Sequence, residues 1–330
     1  MTMVAKLSVR EEIYPLKGSF RISRGARTEA RVLVCEIEQD GIIGQGECTP
    51  YARYGETVED VAAAIAAMGP SIAGGLGREG LQRAMKPGAA RNAIDCALWD
   101  LEAKQAGKRV WELAGLDAPK PLITAYTLSV DTPEAMGEAA KAAADRPLLK
   151  LKLTGDGADA ERVGAVRANA PEARIIVDAN EALTLEEAER IAPILAELRV
   201  EMLEQPLHAD KDEVLREKSF PLPLGADESC HDTATLDRLV GLYQVVNIKL
   251  DKTGGFTEAL RLKAAAERMG FRVMVGCMLA TSLSMAPAHL VAQGVDFVDI
   301  DGPLLMAADR APGLRYEGSL VYPPAAELWG

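Results

Sequence analysis

The sequence predicts an α/β chain in which a closed βα barrel follows a separate α+β domain. Three observations carry this. From about residue 121 onward, eight strand-like runs alternate with helical stretches. The first 120 residues or so place strands first and helices afterwards, which is the pattern of an independent α+β unit. The runs of the second part also end on charged residues at a regular step. From Lys152 to Asp178, Glu204, Asp227 and Lys249 the intervals are 26, 26, 23 and 22 residues, about one strand plus one helix of a parallel barrel.

Taken in chain order, KLSVREEIYPL and EARVLVCEIEQ alternate with period two, and a turn at Asp40-Gly41 leads into IIGQGE. An antiparallel meander is therefore expected at the amino end. TVEDVAAAIAAM opens with Thr57 and places Asp60 three residues later, a good helix start. AARNAIDCALWDLEAKQAG is a second helical run and stops on Gly107. The eight candidate strands are LITAYTLSV, LLKLKL, RIIVDAN, VEMLEQPL, PLGADES, VVNIKLD, RVMVGCM and FVDID. DAERVGAVRANA, LEEAERIAPILAEL and TEALRLKAAAERMG are helical stretches between them. Eight units at this spacing favour a closed barrel over an open sheet, and no GxGxxG follows a first strand to support a dinucleotide fold. The organisation expected is residues 1–120 as an α+β domain, 121–305 as the barrel, and 306–330, including LRYEGSLVYPP, as a tail returning to the first domain.

Composition sets the function class. Net charge is −12, which argues against nucleic acid or an anionic membrane surface as the main partner. No apolar run of about 20 residues and no charged-then-apolar leader is visible, so neither a membrane span nor a secretory signal is expected. Cys35, Cys48, Cys96, Cys230 and Cys277 are odd in number and lack metal-type spacing, as expected for reduced thiols in a cytoplasmic protein. With only His208, His231 and His289 available, histidine-based zinc or triad chemistry is disfavoured.

The charged strand ends point to an enzyme. Side chains at the carboxyl ends of neighbouring barrel strands converge on one pocket, so Asp178, Glu204 and Asp227 are candidate ligands of a hard divalent cation such as Mg²⁺. Any one of them alone fits a helix cap or a solvated strand end; three on adjacent strands do not. Asn180 and Glu228, just beyond their neighbours, are candidates for hydrogen bonds to those ligands. Lys150 and Lys152 lie two apart and so share a face. A second positive charge and a nearby cation would lower a lysine pKa, which makes Lys152 a candidate general base. Lys249 faces the pocket from nearly across the barrel by strand count, and two bases flanking one carbon are what a 1,1-proton transfer needs. Lys252, beside Gly254-Gly255, is expected in the following loop.

The set KxK, DAN, LEQP, ADES and NIKLDKTGG resembles the enolase superfamily, specifically its muconate-lactonizing branch. TPYARYGE and GAARNAIDCALWDLEAK resemble that family's capping domain, so the likeness spans nearly the whole chain. The resemblance implies a modified (β/α)7β TIM barrel under an α+β capping domain. It also implies Mg²⁺ on Asp178, Glu204 and Asp227, with Lys152 and Lys249 as acid and base around an ene-diolate. The mandelate-racemase branch uses a late-strand histidine, and RVMVGCM and VVNIKL contain none.

The eighth run ends FVDIDGP, with Asp299 and Asp301 on one face. An acidic pair aimed into the pocket would bind a cation, most simply a substrate ammonium, and would repel a dicarboxylate. In this family such a pair resembles the dipeptide epimerases, which implies a small dipeptide substrate with Thr127, Lys150 and Cys277 also in contact. The stretch from Leu16 to Arg27 supplies Lys17, Arg21, Arg24 and Arg27 without an acid. The resemblance implies that it meets the substrate's side chain, and an arginine there fits a glutamate γ-carboxylate. Arg24 is the choice over Arg21, and a solvated hairpin is equally open. An Ala-Glu dipeptide would place the enzyme in recycling of cell-wall (murein) peptide. The rival readings are a muconate cycloisomerase-like or o-succinylbenzoate synthase-like enzyme of the same superfamily, and a non-catalytic metal- or peptide-binding protein. Such barrels often associate, so a homo-oligomer is an open partner state.

Overall fold

The computed structural model describes residues 4–330. Strands β1 (Lys6–Ile22), β2 (Gly25–Gln39) and β3 (Ile42–Cys48) form an antiparallel sheet in that order. The Leu16–Arg27 stretch is the far end of the long β1–β2 hairpin, with a register shift between Pro15 and Phe20. Helix Val58–Ala67 begins where Thr57 accepts a hydrogen bond from Asp60 N, and helix Ala89–Ala106 stops at Gly107 with φ 61°. That second helix lies directly on β3. A Cβ on Gly44 or Gly46 would collide with the carbonyl oxygens of Ala97 and Ala93, so only glycine allows the approach.

A two-residue strand, β4 (Leu122–Ile123), precedes the barrel. The barrel strands are β5 (Tyr126–Leu128), β6 (Leu148–Lys152), β7 (Arg174–Asp178), β8 (Val200–Glu204), β9 (Leu224–Ala226), β10 (Val245–Ile248), β11 (Arg272–Gly276) and β12 (Phe297–Asp299). Each pairs in parallel with the next, and Ala125 N donates to Val298 O (2.8 Å) across the seam between β5 and β12. Seven connections link the eight strands. Five contain helices of ten or more residues, while Ala209–Glu217 is 3-10 and Leu236–Leu239 is a single turn. This is a (β/α)7β barrel. The run LITAYTLSV divides: its first half pairs as β4 with β14 (Leu320–Val321) of the tail hairpin β13 (Tyr316–Glu317)–β14, and only its second half enters the barrel. The last residues reach the first domain, where Trp329 Nε1 donates to Cys96 O and Gly330 N to Asp100 Oδ1.

Period-two alternation fixes what the barrel interior contains. Ala125, Leu148, Ile176, Met202, Val245, Met274 and Phe297 form one buried apolar layer that plugs the amino-terminal end. Gly225 completes it on β9, where the Met202 side chain fills the space a Cβ would take. Side chains two residues further along each strand face the same way, so the next layer is Thr127, Lys150, Asp178, Glu204, Asp227, Asn247, Gly276 and Asp299. The plug therefore sits directly beneath a layer made almost wholly of polar side chains.

Candidate active site

One carboxylate oxygen from each of Asp178, Glu204 and Asp227 lies within 4.8 Å of the others, and all three residues are buried. Each is held by a neighbour. Lys152 Nζ donates to Asp178 Oδ2 (2.6 Å), Asn247 Nδ2 to Glu204 Oε1 (2.6 Å) and Lys249 Nζ to Asp227 Oδ2 (2.6 Å). Lys150 Nζ stands 2.8 Å from both Glu204 Oε2 and Asp299 Oδ2. Gln205 and Asn180 brace these acids from behind. Gln205 Oε1 accepts from Asp227 N (2.9 Å), and Asn180 donates to Asp178 from its backbone N (2.8 Å) and Nδ2 (3.1 Å). Both have positive φ, 35° and 44°, a local strain of the kind concentrated at functional sites.

The electrostatics follow from this pairing. Burial pushes Asp178 and Asp227 up, but Lys152 and Lys150 beside the first, and Lys249 and Lys252 beside the second, outweigh it. Both carboxyls are held below the usual range. Glu204 goes the other way, pushed up by burial and by the Asp178 charge. At Lys150 and Lys249 the surrounding acids win over burial. Burial pulls each down, yet the acids around Lys150 (Asp299, Glu204, Asp178) and Asp227 beside Lys249 raise both above the ordinary lysine value.

The donor set fits a hard cation. Three carboxylates converge, and Asn180 Oδ1, Asn247 Oδ1 and Glu228 Oε2 are buried oxygens with no hydrogen-bond donor. Glu204 Oε2 also lacks a hydrogen bond, although the Lys150 ammonium stands beside it.

Above this layer a cavity of about 170 Å³ opens between the barrel mouth and the β1–β2 hairpin. Arg24, Thr127, Lys150, Lys152, Lys249, Cys277, Asp299 and Asp301 all line it, with Asp227 at its floor. Phe20, Ile22, Tyr51, Tyr54, Met278 and Leu279 supply apolar and aromatic walls that the motif reading did not name. Arg24 spans the hairpin tip and the barrel. Its Nη2 donates to Glu228 Oε1 (2.7 Å) and Tyr51 Oη (2.9 Å), and its Nη1 to Asn180 O (2.9 Å). Burial and the Asp227 charge push Glu228 up to about 7. The Cys277 thiol is pushed up by burial and the nearby Asp299 and Asp301, so it stays protonated at neutral pH.

One expectation needs correction. Lys252 is not in a loop: it is 1 % exposed, in the helical turn Leu250–Thr253. Its Nζ donates to Asp227 Oδ1 (2.6 Å), Asp227 O (2.5 Å) and Asn247 O (2.9 Å). The one-turn helix after Lys249 folds it back under the site. The acidic pair is also less free than its sequence suggests. Asp301 Oδ2 accepts from Thr127 N (2.7 Å) across the barrel seam, and Asp299 Oδ2 is taken by Lys150, which leaves Asp299 Oδ1 without a hydrogen-bond partner. None of the three histidines lines this cavity.

Comparison with known proteins agrees across the whole chain. Residues 4–115 match the mandelate racemase / muconate lactonizing enzyme N-terminal domain, and residues 135–311 match the enolase C-terminal domain-like family. An L-Ala-D/L-Glu epimerase of Escherichia coli K12 is 47% identical over 312 residues, covering 94% of this chain and 97% of the relative. An N-acetyl-D-glutamate racemase of a Pseudoalteromonas species is 43% identical over 301 residues, covering 91% and 95%. A crystal structure of an enolase family member from Agrobacterium tumefaciens, with homology to dipeptide epimerases, superposes with a TM-score of 0.97 at 54% identity. It covers 99% of this chain and 100% of that one, and it holds sodium and L-Ala-L-Glu with an ordered loop.

Proposed function

The chain belongs to the mandelate racemase / muconate lactonizing enzyme family of the enolase superfamily, and from that premise we propose that it is a Mg²⁺-dependent dipeptide epimerase acting on L-Ala-L/D-Glu. The observation that carries the reading is one cavity lined by Lys150, Lys152, Lys249, Asp227 of the three-acid cluster, the acidic pair and Arg24. Asp178, Glu204 and Asp227 would hold the cation, which would supply positive charge beside the substrate carboxylate. Lys152 ends β6 and Lys249 directly follows β10, four strands on in the eight-strand order. One takes the α-proton and the other returns a proton to the opposite face, which inverts the carbon. Asp299 Oδ1, the buried oxygen without a donor, receives the substrate ammonium, with Asp301 beside it. Lys150, Thr127 and Cys277 line the substrate's path. Arg24 exchanges part of its bonding from Glu228 to the γ-carboxylate, and the hairpin tip excludes water. An Ala-Glu substrate fits murein peptide recycling in the cytoplasm. No helix among the described residues is long and apolar enough to cross a membrane.

A second reading, racemisation of an N-acylated glutamate, has a specific observation in its favour. Thr127 N and Lys150 already satisfy one oxygen each of Asp301 and Asp299, which weakens the demand for a substrate ammonium. The Pseudoalteromonas relative is a racemase of that class.

The test is α-proton exchange in D₂O with Mg²⁺ over a panel of L-Ala-L-X dipeptides, followed by NMR and mass. Exchange concentrated on L-Ala-L-Glu and abolished by EDTA supports the proposal. Exchange with other dipeptides but not glutamate would discard the arginine assignment. A Lys249→Ala variant with full activity would move the cycloisomerase-type chemistries to the front, because they do not need two bases symmetrically.

A further inference from the structure

Lys249 follows β10 and is succeeded by one helical turn, Leu250–Thr253, and by Gly254 and Gly255 with φ of 73° and 119°. A turn this short has no stability of its own, so the position of Lys249 depends on what packs against the turn. From the barrel side Lys252 pins it to Asp227 and Asn247. The other side is the first domain. Asp251 Oδ1 accepts from Asn92 Nδ2 (2.8 Å) on helix Ala89–Ala106 and from Thr49 N (3.1 Å) just past β3. On the same helix, Arg91 Nη2 donates to Thr253 O (2.6 Å) and Nε to Gly254 O (3.0 Å), and Asp95 Oδ2 accepts from Thr257 N (2.8 Å). A Cβ on Gly254 or Gly255 would collide with Arg91 or Asp95, so the helix touches this backbone directly.

Asn92, Thr49 and Asp251 are all buried. Among the described residues no lysine or arginine forms an ion pair with Asp251, and a buried carboxyl held by an amide and a backbone N–H is costly to keep. Thr49 also lines the cavity beside Tyr51, the partner of Arg24. One contact thus joins the capping domain, the cavity wall and the turn that carries Lys249.

We propose that Asn92 and Asp251 are positioning residues through which the capping domain sets the place of the Lys249 ammonium. The inference rests on the two-lysine reading above. If it holds, loosening this contact disturbs Lys249 and leaves Lys152, on the far strand, where it is. Each lysine serves one face of the α-carbon, so each governs deuterium wash-in from one epimer, and inversion needs both.

The experiment follows deuterium wash-in from L-Ala-L-Glu and from L-Ala-D-Glu separately, with Mg²⁺, in the wild type, Lys152→Ala, Lys249→Ala, Asn92→Ala and Asp251→Ala. Asn92→Ala and Asp251→Ala are expected to lose wash-in about tenfold or more with the epimer that Lys249→Ala silences, and to keep the other within about twofold. Inversion falls in both directions. Equal loss with both epimers, or no loss, would overturn the inference, since a contact serving only the fold or the cation site has no facial preference. If Asn92→Ala does not fold, Asp251→Ala, which removes the oxygen that Asn92 and the Thr49 N–H share, carries the test. Should Lys152→Ala and Lys249→Ala each abolish wash-in from both epimers, the two-lysine reading fails and takes the inference with it, a pattern distinct from selective silencing by the lysine variants alone.

Discussion

Arg24 is already engaged before any substrate arrives, with Glu228, Tyr51 and the Asn180 carbonyl around its guanidinium. A substrate γ-carboxylate gains from it only the difference between the old partners and the new ones. A charge-assisted hydrogen bond contributes about 1.5–3 kcal/mol, so Arg24→Ala should raise KM for L-Ala-L-Glu by about tenfold to a hundredfold. L-Ala-L-Ala should be nearly unaffected in the same initial-rate measurements. Asp301 makes a second prediction. Burial and the Asp299 charge push it up to about 7, so it is mostly protonated below that pH and a carboxylate above it. KM for the dipeptide should therefore fall as pH rises from about 6 to 8, and Asp301→Asn should flatten that profile. The acids and lysines at strand ends were legible because period-two register forces each to lie two or four residues beyond a plug position. Lys252 was not legible: three residues beyond Lys249 and beside two glycines, it reads as a loop until the helical turn brings it beneath Asp227.

Strand β3 and helix Ala89–Ala106 show the same logic one level up. Their approach is so close that β3 carries Gly44 and Gly46 opposite the helix backbone. Gly46→Ala should destabilise the protein by about 3 kcal/mol, at the upper end of overpacking effects, measurable as a lower denaturation midpoint. Activity per folded molecule should fall as well, because this helix also bears Asn92 and Arg91 against the Lys249 turn. Elements with strong periodicity were readable from sequence: the eight strand runs, the Thr57 start and the Gly107 stop. The 3-10 segment Ala209–Glu217 and the turn Leu236–Leu239 were not, because they are too short or too tight for a 3.6-residue pattern to register. The splitting of LITAYTLSV also escaped, since one uninterrupted β-type run serves two sheets.

At the scale of the molecule, burial of acids between and within the two domains sets a pH dependence of stability. Glu47, Glu228, Asp251 and Asp301 are each pushed up to about 7, and Asp95 to about 6, with burial the largest cause in every case. Unfolded, they would titrate near 4, so between about pH 4 and 7 the folded protein binds more protons than the unfolded one. Its stability must fall as pH rises through that window. His289, pushed down to about 4 by burial, and His231, also pushed down by burial, act with the opposite sign but as two groups against five. The EDTA-treated protein should therefore melt at a higher temperature at pH 5.5 than at pH 8 by scanning calorimetry. Mg²⁺ should raise the melting temperature at pH 8, by about 2.7 kcal/mol of stability at a hundredfold excess over its Kd.

The cavity's charge layout remains the central claim, because it separates a substrate with a free ammonium from one without. The decisive comparison is kcat/KM for inversion of L-Ala-L-Glu against N-acetyl-L-glutamate, on one Mg²⁺-loaded preparation, by deuterium incorporation. The dipeptide should be preferred by about tenfold to a hundredfold, the scale expected for a charge-assisted contact, and the preference should shrink when Asp299 is changed to Asn. An equal or greater rate with the acetylated amino acid would contradict it and assign the acidic pair to closing the barrel seam.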